Sequence, residues 1–104
     1  MTITLTRGDW GFDLNFQALK NDGKTPLPIT GSTVRFKMLR EGQTQNTINA
    51  LCTITDGQNG RCKYTVGQLD LDTVGTYTAE LEFTFPNKIL TATLETIEVV
   101  TDLP

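Results

Sequence analysis

The sequence predicts an all-β sandwich, and three observations carry that expectation. Apolar residues recur at every second position through most of the chain. Turn-forming clusters interrupt the alternation every roughly 8–12 residues. No segment shows the apolar spacing of a long helix. At 104 residues, 38% of them hydrophobic, the chain is expected to form one domain over 1–104, large enough to build a sandwich core without staples.

The first element is Met1-Thr2-Ile3-Thr4-Leu5-Thr6, whose alternation reads as a strand. It lacks the basic region and apolar stretch of a secretion signal, and no apolar run approaches bilayer length. The expected location is therefore the cytosol, or wherever an assembly carries the chain. Trp10, Phe12, Leu14, Phe16 and Ala18 then alternate with Asp13, Asn15 and Gln17, a strand with one buried face. Asn21-Asp22-Gly23-Lys24 makes a turn, and Pro26 and Pro28 keep the next segment extended but outside a central ladder.

Thr33 to Leu39 is the next strand, with Val34, Phe36 and Met38 inward and Arg35 and Lys37 outward. Glu41 to Thr47 is polar and expected to be an exposed loop. Ile48–Thr55 and Arg61–Val66 flank Asp56-Gly57-Gln58-Asn59-Gly60, a hairpin signal because Asn and Gly tolerate positive φ. Cys52, Ile54, Cys62, Tyr64 and Val66 face inward there. Gln68 to Asp72 has room for one helical turn. Tyr77, Ala79, Leu81, Phe83 and Phe85 alternate along a further strand, and Pro86-Asn87 turns the chain into a last one from Ile89 to Val100. Its phase changes between Leu94 and Ile97, which places a bulge near Glu95-Thr96. The total is about seven antiparallel strands, the pattern of a Greek-key sandwich.

Asp72-Thr73-Val74-Gly75-Thr76-Tyr77-Thr78-Ala79 makes that fold class more specific. Immunoglobulin-like sandwiches carry a tyrosine at the start of a late strand whose hydroxyl bonds back to the preceding backbone. Gly75-x-Tyr77-x-Ala79 fits this tyrosine corner; the competing reading is an ordinary buried strand tyrosine.

Residue types exclude much chemistry. The chain has no histidine, and Ser32 is its single serine. Nucleophile systems that need an imidazole base are thereby excluded, as are histidine-based zinc sites. Cys52 and Cys62, on the two arms of one hairpin, fit two buried thiols, a cross-strand disulfide or part of a metal site, and none of these implies catalysis. Glu80 and Glu82 share an outward face, and Arg35 and Lys37 are expected opposite them as exposed ion pairs. Asp56, Asp70 and Asp72 lie in no calcium-loop pattern. Arg7-Gly8-Asp9 spells an adhesion tripeptide but sits in what reads as a tight connection. No catalytic, cofactor-binding or metal residue is assigned; Tyr77, Gly75, Cys52 and Cys62 are structural candidates. With net charge −3 and scattered basic residues, neither nucleic acid nor membrane is an expected partner.

Several segments resemble the N-terminal immunoglobulin-like domain of phage baseplate upper proteins and related tail modules. They are Arg7-Gly8-Asp9 leading into an alternating strand, Asp22-Gly23 and Pro28, and Ile29-Thr30-Gly31-Ser32-Thr33-Val34-Arg35-Phe36-Lys37-Met38, like the family's Leu-Thr-Gly-Ala-x-Val-x-Phe-x-Met stretch. Ile54-Thr55-Asp56, Gly60-x-x-x-Tyr64 and Gly75-x-Tyr77-x-Ala79-Glu80 follow in the family's order. The resemblance implies a non-enzymatic, cofactor-free virion component, made in the host cytoplasm, that docks onto other tail or baseplate proteins or onto itself. Longer family members continue into a linker and a further domain, whereas this chain ends at Thr101-Asp102-Leu103-Pro104, which implies a stand-alone adaptor. The alternative function is a small ligand- or carbohydrate-binding sandwich. Against it stands the expectation that every aromatic, Trp10 included, faces inward.

Overall fold

A computed structural model describes residues 2–102, in which nine strands follow one another. They are Thr2–Thr6 (β1), Asp13–Gln17 (β2), Thr33–Arg40 (β3), Ile48–Leu51 (β4), Thr53–Asp56 (β5), Arg61–Thr65 (β6), Gly75–Phe85 (β7), Lys88–Thr93 (β8) and Thr96–Val100 (β9). Met1, at the head of the alternating N-terminal segment, and the final Leu103-Pro104 lie outside the described residues. The strands form two facing sheets. One runs β1-β9-β7-β3-β4 with β8 also paired to β7; the other runs β2-β6-β5. This is the strand arrangement of an immunoglobulin-like Greek-key sandwich.

Alternation explains the central strands. Val34, Phe36 and Met38 of β3 are buried, as are Tyr77, Ala79, Leu81 and Phe83 of β7, while Arg35 and Lys37 turn outward. Each large apolar side chain buried this way contributes about 1.5–3 kcal/mol. Phe36 is wedged between the layers: its ring stacks on Phe16 of β2 at 5.6 Å and on Tyr64 of β6 at 5.2 Å. One apolar cluster thus draws residues from both sheets.

Three features depart from the sequence expectations. Two of the seven expected runs are each broken, which gives nine strands. Ile48–Thr55 breaks at Cys52, whose N–H still bonds Val34 O at 2.8 Å, while Thr53 pairs with Lys63 of the opposite sheet. The chain crosses between layers at that residue. The run from Ile89 to Val100 breaks at Leu94-Glu95, so β8 and β9 follow one another beside the long β7. Second, the sandwich is not wholly antiparallel: β1 pairs with β9 in parallel, from Thr2↔Thr96 to Thr6↔Val100.

Third, Trp10 is not inward. It is 59% exposed, and β2 begins only at Asp13. Backbone bonds decide this: Gly8 N–H donates to Leu71 O and Gly11 N–H to Val66 O, both at 2.8 Å, so residues 7–12 form a loop. The expected alternation does not survive that curvature.

Candidate interaction surfaces

The side of the sandwich bounded by β2 and β8 is open. Among the described residues, β2 pairs only with β6, and β8 only with β7. Leu94 donates its N–H to Ala79 O at 2.9 Å. Antiparallel alternation then turns the N–H and C=O groups of Ile89, Thr91 and Thr93 away from β7, along an unpaired edge. Between β8 and β2 the layers part into a groove of about 670 Å³, walled chiefly by apolar side chains such as Phe16, Ala18, Leu27, Leu90 and Leu94. Among the described residues, Glu95 is the one charged residue in its lining. Every residue of β8 is exposed, with Ile89 at 62%.

A second apolar surface lies at one end. Trp10 and Leu69, the latter 77% exposed, stand on two loops joined by the Gly8–Leu71 and Gly11–Val66 backbone bonds. The expectation that no aromatic lies outside is thereby corrected. Its sequence signal was the flanking pair Gly8 and Gly11, which fits a loop better than a strand.

The remaining sequence candidates lie within the strands and turns of the sandwich. Tyr77 is 1% exposed, and its hydroxyl donates to Thr73 O at 2.6 Å, four residues upstream. Burial raises its pKa above the ordinary phenol value. A Cβ at Gly75 would stand 2.7 Å from Arg40 Nε, and the Arg40 guanidinium caps Val74 O at 3.1 Å. A second anchor went unread in the sequence: the Tyr64 hydroxyl and the Gly67 N–H both donate to Asp70 Oδ2.

Both cysteines are free thiols here, Cys62 buried and Cys52 partly so. A hydrogen bond between them, then burial, pushes the Cys52 thiol above its usual range. Glu82 and Glu80 lie opposite Arg35 and Lys37 in the β3–β7 register, and Lys37 Nζ reaches Glu82 Oε2 at 3.0 Å. Such a partly exposed pair contributes about 0–1 kcal/mol. Arg7-Gly8-Asp9 is a tight connection: Arg7 N–H donates to Val100 O at 2.8 Å, Asp9 N–H to Thr6 O at 3.2 Å, and the Arg7 side chain pairs with Asp102.

Comparison with known proteins supports the fold. The N-terminal domain of phage TP901-1 ORF48 is similar in structure, with a TM-score of 0.66 at 17% identity, covering 99% of this chain and 86% of that one. A murine CRIg structure matches at a TM-score of 0.44 and 15% identity over 98% of this chain and 92% of the other, too loose a likeness to argue from. No curated protein matches the sequence. The family model for the BppU N-terminal domain matches residues 2–103, and the chain belongs to that family, the N-terminal domains of phage baseplate upper proteins.

Proposed function

We propose that this chain is a non-enzymatic docking module of the phage baseplate that binds neighbouring tail or baseplate proteins through surface complementarity. Family membership makes it a baseplate component of the virion, in a family of structural domains that are normally not enzymes. The observation that carries the docking reading is the open side of the sandwich, where an unpaired strand edge runs beside an apolar groove. Sheet edges and apolar grooves are what protein partners cover. The single-domain reading belongs to the same proposal, supported by one core cluster shared by both sheets. The test is co-sedimentation of the purified chain with tail particles of its phage assembled without it. Binding at micromolar concentration is expected; failure to bind either the tails or itself sinks the proposal.

One observation favours a second reading, ligand binding. Trp10 is the single tryptophan and is exposed, so an aromatic platform exists after all. Indole emission during a glycan titration tests this cleanly, because no other tryptophan contributes.

A further inference from the structure

We propose that β8 receives an extended strand from a neighbouring baseplate protein, which pairs with its free edge and fills the groove against β2. The inference rests on the docking reading above and names the face and the chemistry of the partner.

Beyond β9 the sheet has one more strand position, and β1 occupies it from Thr2↔Thr96 to Thr6↔Val100. β8 runs end to end with β9 along β7, so the same position continues beside β8. There it is empty among the described residues. The groove coincides with that position: Ile3 of β1 lines it, and past Thr2 no described residue covers the gap between the layers.

Proteins blunt exposed strand edges with charge, proline or bulges. β8 opens on Lys88 at the hairpin turn, but from Ile89 to Thr93 it carries neither a charged residue nor a proline, and these five residues give an edge about 17 Å long. Of the other free edges, β4 and β5 have four residues each and β5 is bulged, β2 has an acidic first residue in Asp13, and β1, uncharged like the middle of β8, contributes only Ile3 to the groove. A strand in the vacant position has one face towards Phe16, Leu90 and Leu94 and the other towards solvent, so it must alternate apolar with small polar residues. β1, Thr-Ile-Thr-Leu-Thr, has that pattern in the occupied half of the same position.

Charge defines the end of the strand. Glu95 is the one charged lining residue and has no ion-pair partner among the described residues. It stands where β8 ends and β9 begins, so the partner strand carries a Lys or Arg at that end and is uncharged in its middle. A second copy of this chain fits less well. It brings a like net charge of −3, and its own β8 turns Leu90 and Ala92 to its own groove, leaving both grooves unfilled.

The test uses the full chain with tail particles assembled without it. Amide exchange at Ile89, Thr91 and Thr93 should slow at least about ten-fold on binding, while the amides already bonded to β7 change little. Thr91→Pro removes only an outward donor, so it should keep the melting temperature close to wild type and lose about ten-fold in affinity. Glu95→Lys should weaken binding by about three-fold or more, most at low salt. Tails that bind with those three amides exchanging as in the free chain, or that bind Thr91→Pro equally well, overturn the inference while leaving docking intact. Tails that do not bind at all overturn the docking reading itself. Concentration-dependent slowing without tails assigns the edge to a second copy and overturns the choice of partner.

Discussion

Substituting Gly60 and Gly31 by alanine separates two costs that usually arrive together. Both glycines have positive φ, +72° and +80°. At Gly31 an added Cβ meets nothing within 4 Å, so Gly31→Ala bears the left-handed backbone penalty alone, about 1–2 kcal/mol. At Gly60 the Cβ would stand 2.5 Å from Ala18 O and 2.6 Å from Leu27 O. Those are backbone atoms, tied in place by the Ala18 N–H to Gly60 O bond at 2.8 Å and the Leu27 N–H to Ala18 O bond at 2.9 Å. Making room strains or breaks these two bonds, at about 1 kcal/mol each beyond the φ penalty. Gly60→Ala should therefore cost about 3–4 kcal/mol, roughly twice the cost of Gly31→Ala or more. Urea denaturation of both variants gives the difference directly. Thermal scans should show a drop of about 4–8 °C for each kcal/mol. Equal losses, within about 0.5 kcal/mol, would refute the claim that Gly60 is held by close backbone approach.

Other outcomes follow from the same contacts. Tyr77→Phe should cost about 1 kcal/mol in urea melts, at the modest end because exposed Thr73 O can take water instead, whereas Tyr77→Ala should cost about 3–5 kcal/mol by opening a core cavity. Asp22 has its pKa lowered to about 2, first by the Thr25 hydroxyl and then by the Thr25 and Lys24 backbone N–H groups. Its contribution to stability is present above the ordinary carboxylate value and is lost as pH falls through about 2; an NMR titration should find that midpoint, and Thr25→Ala should move it upward. Ellman's reagent should label the native thiols slowly and both rapidly in denaturant, and fast native labelling of Cys52 would contradict the hydrogen bond and burial that raise it.

Much of the fold was legible because side-chain period and layer burial are the same physics. β3 and β7 announce themselves through Val34-x-Phe36-x-Met38 and Tyr77-x-Ala79-x-Leu81-x-Phe83, and the Asp56–Gly60 turn joins β5 to β6. Four things were not legible. The crossing at Cys52 leaves alternation undisturbed, since a strand that changes sheets keeps its period. The parallel β1–β9 pairing joins residues more than ninety positions apart, and no local pattern records it. Trp10 fitted the alternation, but backbone bonds from Gly8 and Gly11 overrode it. The open side was invisible for a related reason: Leu90 and Leu94 lie in a segment that reads as one ordinary strand from Ile89 to Val100, and only the arrangement of the strands shows that no described strand closes over them.

The parallel pairing of β1 with β9 has a mechanical consequence. Because the two strands point the same way, Thr2 and Val100 lie at opposite ends of the pair. Tension applied through the chain at those two residues slides one strand along the other, so the five residue pairs bear the load together. Tension applied at Thr6 and Val100, which are neighbours in the register, instead peels the pair open one contact at a time. Optical-trap pulling at one loading rate should show a clearly higher rupture force in the first geometry, and equal forces would mean that another contact yields first. Within the domain, this strand pair therefore resists load best when it is drawn apart between Thr2 and Val100.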